Sequence, residues 1–308
     1  MSDLRSHGER LDEVGRGVTL CSEAFGDPAD PPVLLTMGLG MQHIHWPDPV
    51  VEALTQHNLY VVRFDNRDRG RSTHFPDVKP PSLGQLATRR FATNQYSLWD
   101  MARDTVGLLD ALELDSVHIV GASMGGMIAQ TVAATAQDRV RSLVSIMSNT
   151  GSRWNGQPAP GIYPLLLGRF PRGRDAYIEH QIKVFRGIGS PGEAEDPELR
   201  EIVARAYDRD HDPTATGRQL AAILAAGDRT AAVRTISAPT LVIHGEKDRL
   251  VAPSGGRATA RAISNARLMM MPGMGHDLPR RLWPELTTAI SDHVLAVERA
   301  RTGAAAPS

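Results

Sequence analysis

Residues 117–136 read Val117-His118-Ile119-Val120-Gly121-Ala122-Ser123-Met124-Gly125-Gly126-Met127-Ile128-Ala129-Gln130-Thr131-Val132-Ala133-Ala134-Thr135-Ala136. Val117–Val120 is a short apolar run that stops at glycine, as a buried parallel strand does. Met124–Ala136 is a run of small and apolar residues with helical propensity. Between them stands Gly121-Ala122-Ser123-Met124-Gly125, a Gly-x-Ser-x-Gly pattern with no second copy in the chain. A serine on so sharp a strand-to-helix turn is held in a strained conformation, its hydroxyl lifted clear of the sheet. Gly121 and Gly125 leave room because they carry no Cβ. The helix that follows aims amide N–H groups at the place where negative charge develops during acyl transfer. Ser123 is therefore the candidate nucleophile.

Outward from this turn the chain alternates short apolar strands with helices. Strands are expected at Val18–Phe25, Val33–Met37, Tyr60–Phe64 and Val140–Met147, and helices at Asp48–Gln56 and Tyr96–Leu114. That rhythm implies an α/β fold with a mostly parallel sheet covered on both faces. It breaks over Thr150–Arg234, which offers helical stretches at Asp175–Phe185, Pro197–Tyr207 and Gly217–Ala226 but no convincing strand. It resumes at Thr240–His244, Arg267–Met271 and a helix near Trp283–Val297. The expected organisation is a core in residues 1–149 and 235–300, a helical cap insertion at 150–234, and a disordered tail at 301–308. The start, Met1–Gly17, is polar and mixed in charge and lacks the apolar stretch of a secretory signal.

A nucleophilic serine needs a base, and the base needs an orienting acid. His276 follows the strand Arg267–Met271 in the loop Pro272-Gly273-Met274-Gly275-His276-Asp277, where a glycine-rich connection can carry an imidazole back over the sheet. His180 and His211 lie in the insertion, His244 inside a strand and His293 in the last helix. Asp248, at the end of His244-Gly245-Glu246-Lys247-Asp248, is the candidate acid, with Glu246 its local rival. The segment after the preceding strand, Ser145–Asn149, contains no carboxylate. Oxyanion donors are expected from the amides of Met124 and of Leu39, in the turn Gly38-Leu39-Gly40-Met41. Gly38, Met41, His43 and Met147 are expected to line the substrate pocket, with Met124 and Met41 nearest the elbow.

These elements, in this order from Val18 to Val297, resemble the α/β-hydrolase superfamily. Arg63-Phe64-Asp65-Asn66-Arg67-Asp68-Arg69-Gly70-Arg71-Ser72, and Gly40-Met41-Gln42 with Trp46-Pro47, resemble the branch of anthracycline methyl ester esterases, the aclacinomycin methylesterase type. The resemblance implies an eight-stranded, mostly parallel sheet with the cap between its sixth and seventh strands. It also implies hydrolysis of an alkyl or methyl ester of a small to mid-sized apolar acid through an acyl-enzyme, with no metal or organic cofactor. The same triad also serves C–C bond hydrolases, cofactor-free perhydrolases and a few catalytically silent receptors, and the fold does not choose among them.

Composition bounds the remaining classes. The 308 residues are 41% hydrophobic and 22% charged, with a net charge of −1, which disfavours nucleic acid as a partner. No apolar run has the roughly 18 residues of a membrane helix. Cys21 is the single cysteine, so no intrachain disulfide can form, and cytoplasmic residence is the default. Sequence leaves the oligomeric state open. Gly187-Ile188-Gly189-Ser190-Pro191-Gly192 matches a dinucleotide-binding pattern but follows a helical stretch and reads as a loop. His43 and His45 lack the further ligands of a metal site. Asp65 and Asp68, at short range among the arginines of residues 63–71, suggest internal ion pairs that pin that loop, the rival reading being a site for a substrate carboxylate. Asp100 and Asp104 read as structural.

Overall fold

In the computed structural model the described residues are 6–166, 171–192 and 197–303. Eight strands form one sheet: β1 (Ser6–Glu13), β2 (Thr19–Phe25), β3 (Pro32–Thr36), β4 (Tyr60–Phe64), β5 (Val117–Ala122), β6 (Val140–Ile146), β7 (Thr240–Gly245) and β8 (Ala266–Met271). Their order across the sheet is β1-β2-β4-β3-β5-β6-β7-β8. β2 runs antiparallel to β1 and β4, and every pair from β4 to β8 is parallel. The central strands are apolar on both faces because both faces are covered: β3, β5 and β7 are buried at every residue.

The helices are α1 (Asp48–Gln56), α2 (Leu83–Thr88), α3 (Leu98–Ala111), α4 (Met124–Thr135), α5 (Tyr163–Leu166), α6 (Arg174–Ile188), α7 (Pro197–Arg209), α8 (Ala215–Ala226), α9 (Thr230–Val233), α10 (Ser254–Ala262) and α11 (Trp283–Thr302). One apolar cluster joins α3 and α4 to a face of the sheet, through Leu98, Leu108, Ile119 and Ile128. A second joins α1 and α11 to the opposite face, through Val51, Leu54, Val120 and Ile290. Helices α5 to α9 all fall between β6 and β7, and no strand occurs there among the described residues.

Strand β1, helix α10 and the end of helix α11 depart from the sequence expectation, and the short helices α2, α5 and α9 were not expected. Strand β1 lies in the polar start; it is an edge strand, exposed at all but one residue, so no apolar alternation marks it. Helix α10, Ser-Gly-Gly-Arg-Ala-Thr-Ala-Arg-Ala, is built from small and polar residues because its inner face packs directly on β7, where a Cβ on Gly256 would meet the His244 ring at 2.5 Å. Helix α11 continues to Thr302 and ends at Gly303 with φ +69°, so Arg301 and Thr302 are helical rather than part of a tail. Residues 304–308 lie outside the described residues. No helix among the described residues is long and apolar enough to cross a membrane.

Candidate active site

Ser123 caps α4 with φ 55° and ψ −118°, a conformation costing about 1–3 kcal/mol for a residue with a side chain. The surroundings fix it. The Ser123 amide donates to Ile146 O at 2.9 Å, and its carbonyl accepts the first helical bond from Met127 at 3.1 Å. The flanking glycines are obligatory here: a Cβ on Gly121 would lie 2.3 Å from Gly125 O, and one on Gly125 2.1 Å from Thr36 O. The elbow thus packs backbone to backbone against the end of β3.

His276 Nε2 lies 2.9 Å from Ser123 Oγ, and its Nδ1 lies 2.7 Å from Asp248 Oδ2. Asp248 Oδ1 accepts from the amides of Leu250 and Val251 at 2.9 and 2.8 Å, so the loop after β7 turns around its own carboxylate. Asp248 and His276 are both buried. Glu246 has no part in this line of hydrogen bonds; its amide donates to Met271 O. A second histidine backs the carboxylate: buried His244 donates from Nε2 to Val251 O at 2.8 Å and passes 3.5 Å from Asp248 Oδ2. Burial lowers the His244 pKa, which keeps that ring neutral.

The turn after β3 lies against Ser123. A Cβ on Gly38 would sit 3.3 Å from Ser123 Cβ, and the turn is closed by Met41 N–H to Gly38 O at 3.2 Å. The Met124 amide stands at the first position of α4, where helix geometry gives it no acceptor within the helix. The Leu39 amide has no acceptor among the described residues.

A cavity of about 1420 Å³ opens over Ser123 and His276. Its floor is Gly38, Leu39, Met41 and Met147, and its roof includes Phe185 and Gln181 of α6 and Leu220 and Leu224 of α8. Two sequence expectations need correction. His43 does not line the cavity: its ring is fully enclosed, 3.1 Å from Glu9 Oε1 and 2.9 Å from Arg209 Nη2. His45, two residues on, lines the cavity instead; burial pushes its pKa down to about 4, so the ring is neutral. Met124 turns its side chain into the core beneath the elbow, and Met127, a turn later on α4, takes its place on the cavity wall.

Sequence reading also missed what holds the histidine. The Gly187–Gly192 loop, with its misleading nucleotide-like spacing, grips the loop that carries His276. Ile188 O accepts from the His276 amide at 2.8 Å, and Ser190 Oγ accepts from the Gly275 amide at 2.8 Å. Ser190 in turn donates from N and Oγ to the Asp277 carboxylate at 2.9 and 2.6 Å. Gly189 and Gly275 allow this contact, since a Cβ on Gly275 would lie 2.3 Å from the Gly189 carbonyl carbon. Asp277, adjacent to His276, gave the only signal available in sequence, a carboxylate within a glycine-rich loop.

The acidic and basic residues after β4 pair with partners far along the chain. Arg67 meets Asp104 through both oxygens at 2.5 and 2.6 Å. Asp68 takes Arg218 of α8 at 2.9 and 2.6 Å, and Asp65 takes Arg209 of α7 at 2.6 Å. So the loop is pinned by ion pairs, but to partners elsewhere in the fold, α3 and the helices α7 and α8 among them, rather than within itself. Among the described residues two groups have spacing that could suit a cation, Glu9-Cys21-His43 and Asp68-His74-Asp212. A guanidinium already stands at each. Arg209 Nη2 lies 2.8 Å from Glu9, 3.4 Å from Cys21 and 2.9 Å from His43, and Arg218 bridges Asp68 and Asp212.

A family model for the alpha/beta hydrolase fold matches residues 31–279. The chain belongs to the alpha/beta hydrolase fold family. Within this family it is similar to rhodomycin D methylesterase DauP of Streptomyces sp. (strain C5), 29% identical over 301 residues covering 91% of this chain and 96% of that protein. Rhodomycin D methylesterase DnrP of Streptomyces peucetius matches with the same identity and coverage. Among solved structures, the enol-lactonase of Burkholderia xenovorans LB400 superposes with a TM-score of 0.74 at 22% identity, over 92% of this hydrolase-fold chain and 99% of its own.

Proposed function

We propose that the protein is a carboxylic ester hydrolase acting through Ser123, His276 and Asp248. The single observation that carries the reading is the continuous hydrogen-bonded line from Ser123 Oγ through the His276 ring to Asp248, at 2.9 and 2.7 Å, on a strained elbow. Ser123 Oγ attacks the ester carbonyl while His276 Nε2 takes its proton. The carbonyl C–O π bond opens and its oxygen becomes the oxyanion, held by the amides of Leu39 and Met124. Collapse expels the alcohol, which receives the proton from His276, and leaves an acyl-enzyme. Water repeats the cycle and releases the acid. Asp248 selects the tautomer with Nδ1–H and stabilises the imidazolium that forms.

The helices of residues 150–234 act as the cap of this site. A cavity of about 1420 Å³ exceeds the roughly 300–1,000 Å³ usual for drug-sized ligands, which favours a mid-sized or bulky acid over a small one. The similarity to two rhodomycin D methylesterases, over nearly the whole length, favours a methyl ester. The test is turnover of methyl esters of acids of increasing bulk by wild type and Ser123→Ala, beside a vinylogous diketone. Ester turnover confined to wild type is expected. Faster cleavage of the diketone than of any ester would move the assignment to C–C bond hydrolysis, and turnover surviving in Ser123→Ala would remove Ser123 from the mechanism.

A further inference from the structure

The cavity wall carries a cation that the triad chemistry does not use. Four arginines stand between Arg63 and Arg71, and three have carboxylate partners: Arg63 with Glu23 and Asp48, Arg67 with Asp104, and Arg71 with Glu9. Arg69 differs. It lines the cavity yet is 4% exposed, and it makes no ion pair among the described residues. Among the described residues its side chain makes one hydrogen bond, from Nη2 to Thr216 Oγ1 of α8, and its buried Nε has no partner. Asp210 shares that wall and its charge acts on Arg69, but the two form no ion-pair contact; its carboxylate accepts from the Gly70 amide at 3.1 Å and faces His74 Nε2 at 3.6 Å.

Arg69 is also placed close to the reacting centre. A Cβ on Gly40 would sit 3.6 Å from Arg69 Nη2, while one on Gly38 would sit 3.3 Å from Ser123 Cβ. Gly38 and Gly40 belong to one tight turn, closed from Met41 to Gly38, whose ends are less than about 7 Å apart. One turn therefore touches the nucleophile at one end and the guanidinium at the other. Holding a desolvated guanidinium without a contacting counter-charge is unfavourable, and its planar edge, with Nε–H and Nη–H side by side, matches the two oxygens of a carboxylate. The cavity is also lined by the apolar side chains of Leu39, Met41, Leu220 and Leu224.

We propose that Arg69 is a recognition site for a carboxylate on the acid portion of the substrate, so that the preferred substrates are monoesters of acids bearing a second carboxylate. This deepens the ester-hydrolase reading, on which it rests for the position of the ester. The test uses monomethyl esters of straight-chain dicarboxylic acids of increasing length, each beside its neutral terminal amide. In wild type the ratio of kcat/KM, acid over amide, is expected to reach about tenfold or more at the best-fitting length. Arg69→Met is expected to bring that ratio to about one, because the preference comes from a charge-assisted bidentate pair. Thr216→Val, which removes the hydrogen bond and leaves the cation, is expected to keep the preference. A ratio near one at every length in wild type, or an unchanged ratio in Arg69→Met, would overturn the proposal. Calorimetric binding of the same pairs to Ser123→Ala and to Ser123→Ala/Arg69→Met reads recognition without turnover. If wild type cleaves no ester, the hydrolase reading fails and calorimetry alone decides the site: equal affinity for acid and amide in both proteins would sink it.

Discussion

At the scale of single residues, the site is a set of side chains each fixed by something other than its neighbour in the triad. Ser123 is fixed by backbone, through the Ile146 carbonyl and the glycines that let the elbow seat on β3. Asp248 is fixed by two amides of its own loop and backed by neutral His244. Asp248→Asn keeps this packing but presents the wrong group to Nδ1, so kcat is expected to fall on the order of 10⁴-fold with the fold intact. Steady-state kinetics with an unchanged near-UV circular dichroism spectrum would check this, and near-wild-type turnover would displace Asp248 from its role. Glu246→Gln is the matched control, since Glu246 lies outside the hydrogen-bonded line and its turnover is expected to stay close to wild type.

At the scale of elements, the loop following α6 and the loop bearing His276 act as one unit. Four hydrogen bonds join residues 188–190 to residues 275–277, so His276, the proposed base, is held by the segment at the end of α6 as well as by Asp248. Ser190→Ala removes two of those bonds, the ones its hydroxyl makes to the Asp277 carboxylate and from the Gly275 amide, while leaving Ser123, His276 and Asp248 in place. Displacement of a reacting group by an ångström can cost on the order of 10²-fold, so kcat is expected to fall roughly 10- to 100-fold with KM moving little. Kinetics normalised to the fraction of Ser123 that reacts with a phosphonate probe separates this from partial unfolding. Unchanged turnover per reactive site would reduce the contact to a structural one. Burial raises the Asp277 pKa, while its two hydrogen bonds from Ser190 oppose that shift. The same pairing logic holds α8 to the loop after β4. Arg218→Met leaves Asp68 buried with its guanidinium gone, and stability is expected to drop by about 3–5 kcal/mol in urea unfolding, with part of that loss recovered when Asp68→Asn is added.

At the scale of the whole molecule, buried titrating groups make stability depend on pH in a fixed direction. Burial lowers the pKa of His45 and of His118 to about 4, below the value each has in the unfolded chain. The folded state therefore binds fewer protons than the unfolded state across that interval. Stability is fully present above the unfolded histidine value of roughly 6.5 and is lost as pH falls toward 4. Glu9 extends the loss further down. The hydrogen bond from His43 and the charge of Arg209 hold it at about 2, so its contribution disappears as pH falls from its ordinary value of 4.5. Urea midpoints are expected to decline from pH 7 to pH 5 and again below it, with Glu9→Gln flattening only the lower part. Equal midpoints at pH 7 and pH 5 would contradict the buried-histidine account.

The parts legible in the sequence are those written by local physics. Short apolar strands and the glycines around Ser123 each follow from packing or strain within a few residues, and they carry the sheet and the elbow; the order serine, acid, histidine was legible only through the fold that these elements resemble. Strand β1 was not legible because an edge strand that buries nothing has no apolar period. Helix α10 was not legible because close contact with β7 selects glycine and alanine, which periodicity does not register. The places of His43 and His45 were decided by the tertiary structure, since Arg209 of α7 claims the first ring from a point 166 residues away. The same is true of Arg69. Its sequence neighbours look alike, four arginines among aspartates, and only the folded arrangement distributes the carboxylates so that three are paired and one faces the cavity. Charge pairing is a matter of distance in space, and a linear pattern of like residues does not encode which of them is left over.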